Sequence, residues 1–283
     1  MDTGLLNSNG AYISGSTSIF YGNCLEVMKG LPDKSIDCFI CDLPFGQLKG
    51  GCKEDNSNDV KEKDCAWDVK INLVAFWEQV TRLAKNDNSP VIHFCNTRFG
   101  IDLINSKPDW FRYDLVWNKE RGTSFLLCNK MPMKSHEMIY VFSKKGSFYK
   151  RIDEDDIEKK AHGQYNTDIT KTSRSANMFN SNKLTRSKGC PAGKRCSRSV
   201  LTYTKVGTCK SLHPTEKPKE LYEWILRRYC PDGGTVLDPT AGSFNSIFVA
   251  KELGINAIGI EMNEVFFKNA LKKFIDLKDK LND

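Results

Sequence analysis

The sequence predicts an α/β fold on a doubly wound, mostly parallel sheet, interrupted by an inserted region. Three observations carry that expectation. Short apolar runs alternate with segments of helical periodicity through the first half of the chain. The alternation stops in a polar, basic stretch over residues 149–210. It resumes at Pro218 and continues almost to the C-terminus. Strand and helix signals in alternation are the pattern of parallel strands joined by helical crossovers.

Each element has its own signal. Residues 36–41 form an apolar run that reads as a buried strand. Leu73, Phe76, Trp77, Val80 and Leu83 recur at spacings of three and four, as one face of a helix does. Residues 91–95, 113–117 and 138–142 read as further strands, with a short helix at Ile101 and Ile104. After the insert, Leu221, Trp224, Ile225 and Arg228 share a face of a helix over 218–229. A strand at 235–237, a helix at 244–253, a strand at 256–260 and an amphipathic helix near 263–277 complete the chain. The expected division is a two-part domain, 1–148 with 211–283, around an insert at 149–210.

The 283 residues are 40% hydrophobic, enough for one large α/β domain with an appended part. No apolar stretch approaches the roughly 20 residues that a membrane span needs. The N-terminus lacks a basic segment followed by an apolar core, so no export signal is expected. The 11 cysteines, an odd number, are then expected as reduced thiols of a cytoplasmic protein, or of a host cell if the source is viral. The formal charge is +7, and residues 171–210 alone carry +10 with no Asp or Glu, which leaves −3 for the rest. So one-sided a block fits a surface for a polyanion. Lys183, Arg186, Lys188, Lys194, Arg195 and Arg198 are its candidate DNA contacts.

Two loops carry chemistry. Asp42-Leu43-Pro44-Phe45 ends the first apolar strand and places an acid, a rigid turn and an aromatic ring together. That set suits gripping the edge and face of a flat heterocycle. Asp238-Pro239-Thr240-Ala241-Gly242-Ser243 ends a second strand, and Glu261 ends a third, 19 positions after Gly242. That is the spacing at which an acid meets a ribose in nucleotide-binding folds. The dinucleotide fingerprint G-x-G-x-x-G is absent, and Asp238 would repel a pyrophosphate. It suits a ligand with positive charge and no phosphate, as S-adenosylmethionine is.

Taken in order, these motifs resemble the amino-methylating DNA methyltransferases of the β-ordered group, similar to phage and viral enzymes with a D-P-P-Y motif. Asp42-Leu43-Pro44-Phe45 stands where that family has D-P-P-Y. Asp238 to Ser243 is similar to D-P-F-x-G-S/T-G, and His213-Pro214-Thr215-Glu216-Lys217-Pro218 to H-P-T-x-K-P. Tyr21-Gly22-Asn23-Cys24-Leu25 is similar to the G-D-C-L segment beside the cofactor's adenine. The resemblance implies a seven-stranded, Rossmann-like methyltransferase sheet with a target-recognition insert. It implies S-adenosylmethionine as cofactor and double-stranded DNA as partner. Asn23, Cys24, Asp42, Lys217, Asp238, Pro239, Thr240, Gly242, Ser243 and Glu261 would then line the cofactor site. Asp42 and the Leu43 carbonyl would accept the N–H groups of a flipped-out base, with Pro44 shaping the turn and Phe45 stacking on the ring. An acid at position 42 favours adenine N6 by family habit, with cytosine N4 as the alternative. The family includes homodimers and enzymes with a cognate restriction enzyme; the sequence decides neither.

The chain departs from the family pattern at Phe45 (Tyr in the family), at Asn23 (an acid), at Phe244-Asn245 (often Gly) and in a long segment over 47–65. That segment reads as a lid or a plain surface insertion. Phe45 and Asn23 support a rival reading, a catalytically silent DNA-binding protein on the same scaffold; an RNA methyltransferase is a third. Cys38 and Cys41 have C-x-x-C spacing but lie in the apolar strand, and read as core residues. Cys190, Cys196, Cys209 and His213 match no standard zinc spacing, so no metal is expected. Ser135-His136-Glu137 precedes a strand and reads as a contact to base or phosphate, or as structural.

Overall fold

The computed structural model describes residues 10–46, 69–123, 125–155, 190–191, 193–205 and 216–279. The segment 47–65, His213, Cys209, Lys183, Arg186 and Lys188 therefore lie outside the described residues. The chain divides into two compact units, Met1–Lys150 with Ser199–Asp283, and Arg151–Arg198.

The first unit is built on β1 (Ala11–Ser14), β2 (Thr17–Tyr21), β3 (Cys38–Cys41), β4 (Val91–Cys95), β5 (Phe111–Thr123) and β6 (Lys134–Phe142). Later in the chain come β9 (Val200–Thr202), β10 (Thr235–Asp238) and β11 (Asn256–Glu261), with β7 (Glu154–Asp155) and β8 (Lys194–Arg195) in the second unit. The helices are α1 (Cys24–Lys29), α2 (Leu73–Leu83), α3 (Thr97–Ser106), α4 (Lys219–Tyr229), α5 (Asn245–Glu252) and α6 (Glu264–Asp279). One sheet has the order β1-β2-β11-β10-β3-β4-β6-β5-β9. Its centre, from β2 to β4, is parallel.

The expected α/β class stands, but among the described residues the sheet has nine strands rather than seven, and two parts of it are antiparallel. The β1–β2 hairpin turns at Gly15, whose φ of 57° is left-handed backbone that glycine adopts readily. β6 runs antiparallel between β4 and β5, because only a loop and a short 3-10 turn join β5 to β6. Without a helical crossover the chain has no need to return in parallel. β9, inside the stretch expected as insert, pairs with β5.

Strand alternation divides the core. Cys38 and Ile40 face the layer of α4, α5 and α6; Phe39 and Cys41 face the layer of α1, α2 and α3. Both cysteines are fully buried core residues. All four residues of β3 and all five of β4 are buried, as expected of strands covered on both sides. His93 on β4 packs edge-on against Phe76, Trp77 and Phe142, with neither ring nitrogen partnered among the described residues. Burial lowers its pKa to about 3, so the ring is neutral. No helix among the described residues is long and apolar enough to cross a membrane.

Gly259 on β11 determines how closely α5 approaches. A Cβ there would lie 2.8 Å from both Ile247 Cγ1 and Phe244 Cε1. Gly259→Ala should lower stability by about 1–3 kcal/mol, since overpacking of this kind displaces the neighbours. Chemical denaturation of the two proteins measures it.

Candidate active site

The parallel strands β3, β10 and β11 open their carboxyl ends on one edge of the sheet, and each ends at an acid. Asp42 follows β3, Asp238 is the last residue of β10, and Glu261 the last of β11. β3 and β10 are direct neighbours, Val236 opposite Cys38 and Leu237 opposite Phe39. The next helices after them, α2 and α5, cover opposite faces of the sheet. The acids of β3 and β10 therefore stand at a switch point, where open α/β sheets bind ligands.

A buried ion network holds the first acid. Lys217, 3% exposed, donates from Nζ to Asp42 Oδ2 and lies 3.8 Å from Glu137 Oε2. The other oxygen of Glu137 pairs with Lys119, on the adjacent strand β5. Lys217 Nζ also sits 4.7 Å from the centre of the Phe94 ring. Burial opposes the charge on Lys217, but Asp42 and Glu137 outweigh it and hold the ammonium above its ordinary pKa. Burial likewise opposes ionisation of Glu137, and Lys217 and Lys119 outweigh it and hold that carboxyl low. At Asp42 burial is the larger influence and raises the carboxyl, against the pull of Lys217. Burial, then the charge of Lys119, lowers Lys205. Leu43 is buried, and Pro44 and Phe45 are half-buried. The Phe45 ring leans on Phe99 of α3, with centres 5.0 Å apart.

The second loop is shaped by its acids. Asp238 Oδ1 accepts from the Thr240 backbone N–H at 3.1 Å, and Oδ2 from the Ser246 hydroxyl at 2.5 Å. Glu261 Oε2 accepts from the Gly242 N–H at 2.8 Å, Oε1 from the Asn263 N–H at 2.7 Å, and its carbonyl from the Gly22 N–H at 3.0 Å. Both carboxylate oxygens thus hold backbone. Gly242 and Phe244 both adopt left-handed backbone, with φ of 52° and 59°. Phe244 does so without being glycine because its buried ring fills the space over Gly259. Asn245 donates to Glu216 Oε1 at 2.7 Å and to the Lys217 carbonyl at 3.1 Å, tying α5 to the segment that carries Lys217. Pro239 is buried, and Thr240 and Ser243 are half-buried.

Asn23 caps α1, accepting from the Leu25 N–H at 2.9 Å. Burial raises the thiol of Cys24 to about 11, with smaller contributions from Glu261 and Asp238. The structure thus brings Cys24, Asp42, Lys217, Asp238, Gly242 and Glu261 to one edge of the sheet. It adds Lys119, Glu216 and Asn245, to which sequence reading gave no role in the site, and gives Glu137 a definite partner set. Of the candidate DNA contacts, Lys194 pairs with Asp155 at 2.6 Å and Arg195 with Glu154 at 3.5 Å, while Arg198 lies just after β8.

The edge suits a cationic ligand with hydrogen-bonding groups. Asp238 is 2% exposed and makes no ion pair among the described residues. Its pKa is raised by burial to about 7. The hydroxyl oxygen of Thr240 is buried without a partner among the described residues. A buried acid without a cation and an orphaned hydroxyl are what a ligand with an ammonium group would satisfy.

Acids at the carboxyl ends of neighbouring parallel strands mark this edge as the ligand-binding edge of an open α/β sheet. Residues 36–272 match the DNA methylase model of N6 and N4 amino-methyltransferases. The chain belongs to this family of DNA methylases. It is 28% identical to the type II methyltransferase M.HinfI of Haemophilus influenzae, over 94% of this chain and 70% of that protein. It is 26% identical to the type II methyltransferase M1.MboII of Moraxella bovis, over 88% and 92%. Among solved structures, the M1.HpyAVI–SAM complex matches with a TM-score of 0.56 at 19% identity, over 91% of this chain and 98% of that one. The cytosine-N4-specific PvuII DNA methyltransferase matches with a TM-score of 0.61 at 17% identity, over 92% and 87%. These structural likenesses establish a shared α/β fold.

The raised Asp238 fixes a pH dependence. Between about pH 4, where an unfolded aspartate titrates, and pH 7, the folded chain holds a proton that the unfolded chain has lost. Stability of the ligand-free protein should therefore fall as pH rises through that window, by on the order of 3 kcal/mol from this group. Asp238→Asn keeps the acceptor for the Thr240 N–H, turns the bond with Ser246 round so that the amide donates, and removes the charge, so it should flatten the profile. Thermal melts from pH 5 to 8 measure the effect.

Proposed function

We propose that this member of the amino-methylating DNA methylase family is a DNA adenine-N6 methyltransferase that uses S-adenosylmethionine. The observation that carries the reading is Asp42, set at the end of β3 beside Asp238 and held through Oδ2 by Lys217. An exocyclic amine is a weak nucleophile because its lone pair is delocalised into the ring. Acceptors on its N–H groups draw the nitrogen towards tetrahedral geometry and free that pair.

Asp42 Oδ1, the oxygen that Lys217 does not hold, accepts one N–H, and the Leu43 carbonyl accepts the other. A carbonyl is what position 43 must supply, so Leu serves where the family has Pro. Lys217 fixes the orientation of the Asp42 carboxylate and favours its charged form, against burial and the like charge of Glu137. Phe45, backed by Phe99, stacks on the base, which must leave the duplex to reach this edge. Asp238 and Glu261 hold the loop on which the cofactor's polar groups rest. S-adenosylmethionine, when bound, supplies an electrophilic methyl on its sulfonium. Positioning then accounts for much of the acceleration, and no covalent bond to the protein is required. The acid at 42 supports adenine over cytosine by family habit. The basic window 171–210, with Lys183, Arg186, Lys188, Lys194, Arg195 and Arg198, supports a recognition role for the insert on double-stranded DNA.

Incubation of DNA with the protein and S-adenosylmethionine, followed by nucleoside mass spectrometry, should give N6-methyladenine. N4-methylcytosine alone would move the assignment to cytosine, and no methylated base would favour a silent DNA-binding protein. Asp42→Ala should abolish transfer even at S-adenosylmethionine concentrations that calorimetry shows to be saturating. Phe45→Ala should lower the rate about 5- to 150-fold, the equivalent of roughly 1–3 kcal/mol of base stacking. DNA affinity should fall steeply between 50 and 200 mM salt if the basic window neutralises phosphates; a flat response would remove that role.

A further inference from the structure

The second unit, Arg151–Arg198, contains a cluster that methyl transfer does not use. Asp153, Cys190 and Cys196 place one ligand atom each within 4.8 Å of one another. Cys190 Sγ lies 3.2 Å from Cys196 Sγ and 3.6 Å from Asp153 Oδ1. From these donors we infer that the unit binds a single zinc ion through the thiolates of Cys190 and Cys196 and the carboxylate of Asp153.

The geometry fits a tetrahedral ion. With zinc–sulfur bonds of about 2.3 Å and a zinc–oxygen bond of about 2.1 Å, ligand atoms lie roughly 3.6–3.8 Å apart. The sulfur–oxygen separation already has that value, and the two sulfurs need to part by about half an ångström. Two thiolates with one carboxylate select zinc over magnesium or calcium, which take oxygen alone. The fourth position is left to water or one further donor. Charge also closes. Two thiolates and a carboxylate around Zn²⁺ leave −1, and the Arg151 guanidinium balances it. Arg151 bonds Asp153 Oδ1 at 2.6 Å and Cys190 Sγ at 2.9 Å, the outer contact that orients a ligand.

The unit also needs such a staple. Of its 48 residues only five are Ile, Leu, Val or Phe, too few for an apolar core of its own. The ladder that joins its ends has two residues a side, Glu154 opposite Arg195 and Asp155 opposite Lys194. Pairing that short is marginal in water. Asp153 directly precedes β7, and Cys190 and Cys196 bracket β8, so one ion would clamp both strands. Sequence spacing argued against zinc because the third donor lies 37 residues before Cys190, where no cysteine or histidine marks it.

Full-length protein, purified without chelator or metal-affinity resin, should carry about one zinc per chain by plasma mass spectrometry. Cobalt exchanged into it should show thiolate-to-metal charge transfer and tetrahedral ligand-field bands. The double variant Cys190→Ser, Cys196→Ser should lose the metal and both bands, and Arg151→Gln should weaken binding about 10- to 100-fold. X-ray absorption of the wild-type zinc protein should find two sulfurs at about 2.3 Å, a reading that survives if the variants do not fold. Metal-free protein that takes up no cobalt overturns the proposal. So does undiminished zinc in the double variant, a shell of four sulfurs, or a Cys190–Cys196 disulfide seen as a loss of two daltons.

Discussion

The contact between Lys217 and Asp42 joins parts of the chain 175 residues apart, and much of the strand-end edge is arranged around it. A buried ammonium is costly unless it is paired and hydrogen-bonded. Here Asp42 and Glu137 supply the negative charge, and the face of Phe94 covers the ammonium. The pair also requires β3, β6 and the segment before α4 to meet at one point. Removing Lys217 alone would leave a half-buried acid uncompensated beside Glu137. The network is therefore weak as a source of net stability and strong as a constraint on geometry. It fixes which oxygen of Asp42 faces away from the protein's own cation.

The two loops at this edge solve different problems with the same residue type. Asp42 is held by a cation, so its charge is matched and its direction set. Asp238 is held by a backbone N–H and a hydroxyl, so its direction is set while its charge has no ion pair among the described residues. Glu261 works as a local organiser, gathering Gly242, Asn263 and Gly22 onto one residue. Three acids at the ends of parallel strands thus differ in what holds them: an ammonium, a backbone N–H with a hydroxyl, and two backbone N–H groups. Their partners decide the difference.

Much of this was legible in the sequence, for physical reasons. Strands buried on both faces, such as β4, are unbroken apolar runs and stand out. Helices with one buried face, such as α2 and α4, show it as a period. Acids at strand ends mark the edge because strand ends are where ligands bind. Strand direction was not legible: β6 lies antiparallel because its connection lacks a helix, and a loop's path leaves no periodic trace. The β1–β2 hairpin was hidden by its short, partly polar strands. Lys119 and Asn245 were hidden because a buried charge and a buried amide depend on partners far away in sequence. Phe244 and Asn245 looked like faults in a glycine loop, yet one ring fills space over Gly259 and the other side chain ties down the segment that carries Lys217.

The anchoring of β9 has a consequence for how such proteins diversify. The backbone N–H of Lys150 is bonded to the Arg228 carbonyl, and the carbonyl of Ser199 to the Val116 N–H. Departure and return of the intervening segment are therefore both fastened to the first unit, independently of what lies between them. A graft between those two moorings would leave the chemistry's scaffold tied at both seams. Replacing the whole intervening cassette would meet the same two seams, and need not disturb the acids at the strand ends.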